Sequence, residues 1–366
     1  MKIVVTGTRG IPDIQGGVET HCQELYPRMA ALGHDVTVIC RTPYVNDLQR
    51  TEYEGVKLLN VAAPRRKSLE AILHTFRAIR AAKKLRPDIL HVHAIGPSLL
   101  VPFARLMGLK VVSTNHGPDY DRQKWGRRAK AVLRMGERMG SKYSNVVISI
   151  SETIRRGLKE HYGTDSRLVF NGVNKPAKSE STDYIASLGL VPGRYIIALG
   201  RFVKEKGFHD LIGAFRQAGL AAKGWQLAIA GDADHEDAYS RELKQMATDT
   251  DGVVLTGFIR GERLNQLMTH GRLFVLPSYH EGLPIALLEA LSYDLDVVVS
   301  DIPANTLSCL DSGDFFPVGD VKSLAALLRE KLDRDGGARS YDLTPYNWDN
   351  ICQQTLEIYE SVICKG

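Results

Sequence analysis

Long apolar runs are missing from this 366-residue chain. None approaches the ~18–20 residues that a helix needs to cross a bilayer, so no membrane-spanning helix is expected. Met1-Lys-Ile-Val-Val-Thr6 is too short for a signal-peptide core and reads as a first strand. Cysteine is sparse: Cys22, Cys40, Cys309, Cys352 and Cys364 are scattered, with no Cys-x-x-Cys pair. That argues against a disulfide framework or a zinc site and fits reduced thiols in a cytosol. Low-complexity tracts are missing too, as are repeats beyond one doubling of the whole pattern. No Gly-x-Gly-x-x-Gly run follows the first strand, which disfavours an NAD-dependent dehydrogenase. Aromatics make up 7% of the chain and rarely interleave with basic residues, so no nucleic-acid partner is expected.

What remains is the composition of a soluble globular enzyme, 44% hydrophobic and 24% charged, long enough for two domains. The net charge of +5 hides an asymmetry. Residues 1–172 carry 28 Lys and Arg against 15 Asp and Glu, whereas residues 173–366 carry 19 against 27. The basic excess gathers at Arg65-Arg-Lys67 with Arg77, Arg80, Lys83, Lys84 and Arg86, and again between Arg122 and Lys142. A solvated helix face would account for either group. The functional alternative is attraction to anionic lipid headgroups or to a phosphate-bearing acceptor.

Strand and helix patterns alternate throughout, as in mainly parallel sheets covered on both faces. In the first half, strands are expected near Lys2–Thr6, Asp35–Arg41, Ile89–His93, Lys110–Asn115 and Val146–Ser149. Helices are expected over Val18–Leu32, Leu69–Leu85, Pro97–Met107, Lys124–Lys142 and Glu152–Glu160. A second series restarts at Tyr195–Leu199 and runs through Gln226–Ala230, Val253–Leu255, Leu273–Leu276 and Val297–Val299. Between them, Asn174–Gly193 is rich in Ser, Pro, Lys and Asp and reads as a linker. The expectation is two doubly wound α/β domains, residues 1–172 and 173–345, with a last helix over 346–364 returning to the first. Ligands of such sheets bind beyond the carboxyl ends of the strands, which places the expected site in a cleft between facing domains.

The densest motif is Ser278-Tyr-His-Glu-Gly-Leu-Pro-Ile-Ala-Leu-Leu-Glu-Ala-Leu-Ser292. It reads as the turn and helix after a short β-prone run, Leu273–Pro277. The first amides of the helix, after Gly282 and Leu283, form a pocket for an anion. Glu281 stands at its mouth and Glu289 roughly 12 Å further along, if all eight intervening steps are helical. An anion pocket flanked by two acceptors suits a phosphorylated sugar. Arg201 and Lys206, within Gly200–Gly207 at a strand end, can converge on one dianionic group. Gly16-Gly17 before the first helix permits close backbone approach to an anion. His116 ends a strand in the other domain and can hydrogen-bond a hydroxyl or relay a proton, but could equally cap or pack. His91 and His93 share one strand face with no third ligand nearby, so no metal site is expected.

Taken together these motifs resemble glycosyltransferase family 4, the retaining nucleotide-sugar enzymes of the two-domain GT-B fold with Rossmann-like halves. The resemblance rests on Gly16-Gly17-Val-Glu19, Gly33-His-Asp-Val-Thr-Val38, His91-Val-His93, Asn171-Gly-Val173, Gly200-Arg201 with Lys206-Gly207, Gly257-Phe258, the Glu281/Glu289 pair and the Trp348 helix. The segment through Arg122-Gln-Lys-Trp-Gly126 is similar to bacterial surface-polysaccharide enzymes, some labelled rhamnosyltransferases.

The resemblance implies that Arg201 and Lys206 hold a diphosphate with the amides after Gly282. It implies Glu289 on the ribose, Phe258 near the base, Glu281 on the transferred sugar, His116 near the reacting carbon, and Gly16-Gly17 over the phosphates. The implied reaction is a metal-independent, cofactor-free, retaining transfer from a nucleoside diphosphate sugar; a carboxylate at Glu289 gains most from a ribose diol, which favours UDP or GDP, and the basic first half suggests a lipid-linked saccharide as acceptor. It would take place in the cytoplasm at the inner face of the membrane. A UDP-sugar 2-epimerase of the same fold and a non-catalytic sugar-nucleotide-binding subunit are the alternatives. The sequence departs from the family at Asn174, where Asp is frequent, and at Asp294 and Asp296, where Gly and Pro are usual. These departures bear on the nucleotide pocket. Asp-x-Asp, the metal signature of the other common glycosyltransferase fold, occurs at Asp119, Asp232, Asp249 and Asp294, and only the Asp232 copy follows a strand.

Overall fold

The computed structural model describes residues 1–63, 70–118, 120, 126–233, 236–334 and 339–364. Two compact units divide the chain, Met1–Gly172 with Pro345–Gly366, and Val173–Thr344.

The first unit is built on an eight-stranded sheet ordered β3-β4-β2-β1-β5-β6-β7-β8. Its strands are β1 (Lys2–Thr6), β2 (Asp35–Arg41), β3 (Glu52–Tyr53), β4 (Val56–Val61), β5 (Ile89–His93), β6 (Val111–Asn115), β7 (Val146–Ser149) and β8 (Arg167–Leu168). All pairs are parallel except β3 with β4. Alternation sends Ile3 and Val5 to one face and Val4 to the other. Helices Gly17–Ala31 and Trp348–Cys364 cover the first face, and helices Glu70–Leu85 and Val101–Leu106 the second.

The Trp348 helix buries Trp348, Ile351, Cys352, Thr355, Leu356, Tyr359 and Val362, a stripe at helical spacing. Each large apolar side chain buried there contributes roughly 1.5–3 kcal/mol. Where one helix was expected from Pro97 to Met107 there are two, Ile95–Ser98 and Val101–Leu106. Pro102 has no N–H to carry a continuous helix through that point.

The second unit holds a six-stranded, wholly parallel sheet ordered β11-β10-β9-β12-β13-β14. Its strands are β9 (Tyr195–Leu199), β10 (Gln226–Ala230), β11 (Val253–Gly257), β12 (Leu273–Leu276), β13 (Asp296–Ser300) and β14 (Phe315–Phe316). Both units are therefore α/β and doubly wound, as the alternating pattern required. Asn174–Gly193 is more than a linker. It forms a short helix, Asp183–Ser187, and buries Ile185 and Leu190. Gln266 fastens that helix by accepting from the Tyr184 amide at 2.8 Å.

Candidate functional site

In the second unit the strand order reverses between β9 and β12. Strand β9 pairs with β10 on one side and with β12 on the other. The carboxyl ends of the two strands at such a reversal are the usual ligand position in doubly wound sheets. The β9 loop carries Arg201 and Lys206, and the β12 loop carries Ser278 and Glu281.

The two loops are fastened together. The Tyr279 amide donates to the Glu205 carbonyl at 2.8 Å. Lys206 Nζ lies 2.6 Å from Glu281 Oε1, and Ser278 Oγ donates to the same oxygen at 2.6 Å. Both partners of the ion pair are largely buried, with side-chain exposures of 18% and 11%. Burial alone would raise the Glu281 carboxyl, but the Lys206 ammonium and the Ser278 hydroxyl outweigh it and hold the group below its ordinary value. Both of these bonds go to Oε1, and Glu281 Oε2 has no hydrogen-bond partner among the described residues.

Gly207 makes this approach possible. Its φ of +67° lies in the left-handed region, and a Cβ there would stand 2.1 Å from the Pro277 carbonyl oxygen. Sequence reasoning missed Ser278 as a site residue. Its position three residues before Glu281, in a tight turn, is the signal that could have found it.

The helix after Glu281 begins later than expected. Pro284 is its N-cap, without a side-chain cap, and the helix runs Ile285–Ser292. Only the last four steps to Glu289 are therefore helical, and the axial rise over them is roughly 6 Å. Gly282 and Leu283 lie in the turn before it. Glu289 is half-buried, close enough to Tyr293 to help burial push that phenol up to about 12. Phe258 follows β11 on the same sheet edge and is 46% exposed. Arg201 is half-buried at the start of the β9 loop.

Asp232, after β10, pairs with Lys244 Nζ at 3.0 Å, and Asp234 lies outside the described residues, as do Asp119 and Asp121. Among the described residues no group of His, Cys, Asp and Glu could hold a metal. Asp294 and Asp296 sit at the opposite edge, where β13 begins. Asp294 pairs with Lys178 at 2.8 Å, and Asp296 with Lys331 at 2.7 Å. These two departures from the family pattern serve the scaffold of this unit rather than the edge that carries Lys206.

In the first unit, Gly16 is the N-cap of helix Gly17–Ala31 at φ +149°. A Cβ at Gly16 would strike the Glu19 carboxylate at 2.2 Å, while one at Gly17 would meet nothing within 4 Å. Glu19 is held against Arg9, accepting from its amide at 2.9 Å and from its guanidinium at 3.3 Å.

His116 follows β6 and belongs to a buried cluster with His21, His91 and His93. Its Nε2 lies 2.9 Å from His93 Nδ1, and the His21 ring packs edge-on at 5.1 Å. Burial pushes all four imidazoles down, His21 to about 4 and His91 to about 3. Asn115 fixes the turn by accepting from the Gly117 amide and donating to Glu137, both at 2.8 Å. Tyr26, Thr114 and Tyr359, which complete the cluster, were not foreseen, because each reads as an ordinary core or strand residue.

Helix Arg127–Tyr143 exposes Arg127, Arg128, Arg134, Arg138 and Lys142. The second basic group, on helix Glu70–Leu85 and just beyond it, exposes Arg77, Arg80, Lys83, Lys84 and Arg86. Arg65, Arg66, Lys67, Arg122 and Lys124 lie outside the described residues. No helix among the described residues is long and apolar enough to cross a membrane.

Comparison with known proteins fits this geometry. Residues 15–175 match the model of Glycosyltransferase Family 4, and residues 193–334 that of Glycosyl transferases group 1. An uncharacterized glycosyltransferase of Methanocaldococcus jannaschii is 26% identical over 98% of both chains. Phosphatidyl-myo-inositol mannosyltransferase of Mycobacterium leprae is 25% identical over 97% of this chain and 95% of its own. The solved sucrose-phosphate synthase of Thermosynechococcus elongatus superposes with a TM-score of 0.85 at 20% identity over 100% of both chains, a shared GT-B fold. The chain is a glycosyltransferase, carrying a family 4 domain followed by a group 1 domain.

Proposed function

We propose that this glycosyltransferase moves a sugar from a nucleoside diphosphate donor to an acceptor hydroxyl, with retention of anomeric configuration and without a metal. The observation that carries this reading is the Lys206–Glu281–Ser278 cluster at the β9/β12 switch point. Two of the three protons of the Lys206 ammonium remain for phosphate oxygens, and Arg201 on the same loop adds a forked cation. The backbone N–H groups at the turn into helix Ile285–Ser292, where Pro284 has none, complete the diphosphate site.

Glu281 Oε2 accepts from the transferred sugar, Glu289 from the ribose, and Phe258 meets the base. A carboxylate gains most from a vicinal diol, which favours UDP or GDP over a deoxyribose nucleotide. In the first unit Gly16, Gly17 and His116 are the proposed ligand contacts.

The bond from the anomeric carbon to the diphosphate oxygen breaks while the acceptor oxygen bonds the same face of that carbon. The acceptor's proton passes to the departing phosphate. Arg201, Lys206 and the amides stabilise the charge that develops there.

The acceptor is proposed to be a lipid-linked saccharide used in surface-polysaccharide synthesis. The exposed cations of helix Arg127–Tyr143 suit an anionic membrane surface. A relative named for a phosphatidyl-inositol substrate is consistent with a lipid acceptor.

The deciding experiment is a thermal-shift panel of nucleoside diphosphate sugars, followed by product analysis with the donor that binds. Stabilisation by UDP- or GDP-sugars and transfer to an added hydroxyl acceptor are expected. Conversion of the donor to its 2-epimer with no acceptor present would overturn the reading in favour of an epimerase. Donor binding without any turnover would leave only a binding subunit.

A further inference from the structure

The histidine cluster holds more than a contact residue. From its hydrogen bonds we infer that His116 is locked as the neutral tautomer with its proton on Nδ1. It would then meet its ligand as a hydrogen-bond donor and not as a base. Thr114, Tyr26 and His93 are the positioning residues that impose this.

Every buried proton in the cluster needs an acceptor. Thr114 is 1% exposed, and the recorded partner of its hydroxyl is His91 Nε2, at 2.7 Å. Among the described residues that hydroxyl proton has no other acceptor, so Thr114 donates and His91 Nε2 accepts. A neutral His91 then carries its proton on Nδ1, facing the oxygens of Tyr26 at 2.9 Å and Tyr359 at 2.5 Å. Neither phenol can donate back to that nitrogen. The Tyr359 proton then has, among the described residues, only the Tyr26 oxygen to accept it, and Tyr26 turns its own proton to His93 Nε2, 2.5 Å away. With Nε2 accepting, His93 is protonated on Nδ1 and donates to His116 Nε2 at 2.9 Å. The last proton of the chain is left on His116 Nδ1.

Neutrality is supported independently. Burial lowers all four imidazoles, and among the described residues their hydrogen-bond and ring partners outside the cluster are Tyr26, Tyr359, Thr114, Asn171 and Trp348, none anionic. The chain ends at Thr114 with no onward acceptor among the described residues, so it cannot carry protons through. What it transmits is direction: reversing one bond reverses all of them. The turn that holds His116 is fixed separately by Asn115 and Glu137, so ring position and tautomer are set by different groups.

For function, this inference rests on the proposed role of His116 at the transferred sugar. Its structural content does not, and the test separates them. Protein labelled with 15N-histidine is examined by long-range 1H–15N correlation at pH 7, with His116 identified by the signal lost in His116→Gln. Protonated Nδ1 and bare Nε2 at His116 are expected. Thr114→Val removes the proton that sets the direction and should give mixed or reversed tautomers at His116, with Thr114→Ser restoring the wild-type pattern. Wild-type His116 protonated on Nε2, or an unchanged pattern in Thr114→Val, would overturn the inference whatever the enzyme does.

In turnover assays, Thr114→Val is expected to lower kcat roughly tenfold or more with little change in donor KM, the scale of a lost proton-positioning contact. Thr114→Ser should recover it. An unchanged kcat beside a changed tautomer would count against the role of His116 at the sugar alone.

Discussion

Lys206 and Glu281 stand 75 positions apart in sequence, yet their ammonium and carboxylate meet at 2.6 Å. Topology explains it, because β9 and β12 are neighbours in the sheet and each residue lies in the loop that leaves its strand. The pair is enclosed enough for charge to matter and open enough to leave Glu281 Oε2 available. Lys206→Ala or Glu281→Ala should therefore cut turnover at least ~100-fold, the usual scale for a key polar contact in a dry site. The double variant should cost little more than either single one, since the two act as a unit. Near-wild-type turnover in both single variants would remove the proposed function.

The same pair sets an acid limit. Glu281 titrates below the ordinary carboxylate value of 4.5 in the folded protein. Its contribution to stability is fully present above that value and disappears as pH falls through the depressed one. Lys206→Met should abolish this part of the acid dependence, and urea midpoints between pH 7 and pH 3.5 measure it. Parallel curves for wild type and Lys206→Met would show that the pair adds nothing.

How much of this could be read from the sequence depends on how local each signal was. Strands such as β1, β2, β5, β9, β10 and β12 were legible to the residue, because β-branched runs buried on both faces leave no competing period. Strand β4 was not. Its Val56 and Leu58 are buried and the residues between and after them are not, a weaker pattern than its neighbours show. The β3, β8 and β14 pairs have only two residues each and carry no period at all. The chemistry of Arg201, Lys206, Glu281 and Glu289 could be placed at strand ends by spacing alone. The joining of the β9 and β12 loops could not, because it depends on sheet order. Nor could the partners of His116, which come from a helix, two strands and the distant helix Trp348–Cys364.

The histidine cluster predicts a second acid effect of different range. His21, His91, His93 and His116 are held neutral by burial, while the unfolded chain takes up protons near pH 6.5. The unfolded state thus binds more protons below that pH, and stability must fall as pH drops from 6.5 toward about 4. Each imidazole costs roughly 1.4 kcal/mol per pH unit over this window. Hydrogen exchange should show β1, β5 and β6 losing protection at pH 5 relative to pH 7 far more than β9, β10 and β12. Equal loss in both sheets would contradict the assignment.

Gly207→Ala tests the joining of the two loops without touching a charge. The left-handed backbone costs alanine roughly 1–2 kcal/mol, and its methyl would press on the Pro277 carbonyl. A loss of at least ~2 kcal/mol is expected, or about 4–8 °C in Tm for a unit of this size. Turnover should also fall, because relieving the contact separates Lys206 from Glu281. A stable variant with unchanged turnover would mean that the loops keep their geometry without this close approach.

Asp296 allows the nucleotide pocket to be separated from the scaffold. Its carboxylate belongs to a network in which Lys331 Nζ lies 2.7 Å from Asp296 and 2.6 Å from Asp314. Arg339 Nη1 reaches the same two acids, at 3.0 Å from Asp296 and 2.5 Å from Asp314. Burial would raise Asp314, but the Arg339 and Lys331 hydrogen bonds hold it below its ordinary value. Replacing Lys331 by Met leaves two acids to one cation in a nearly enclosed site, a defect that typically costs about 3–5 kcal/mol. Asp296→Asn keeps the shape, removes one negative charge and should cost less. The network lies where β13 begins, and the proposed donor contacts lie beyond the strands' carboxyl ends. Both variants should therefore bind the donor within about twofold of wild type at a temperature where they remain folded, whatever their loss in Tm. A tenfold weaker donor Kd in Asp296→Asn, with the fold intact by circular dichroism, would place this acid at the nucleotide after all.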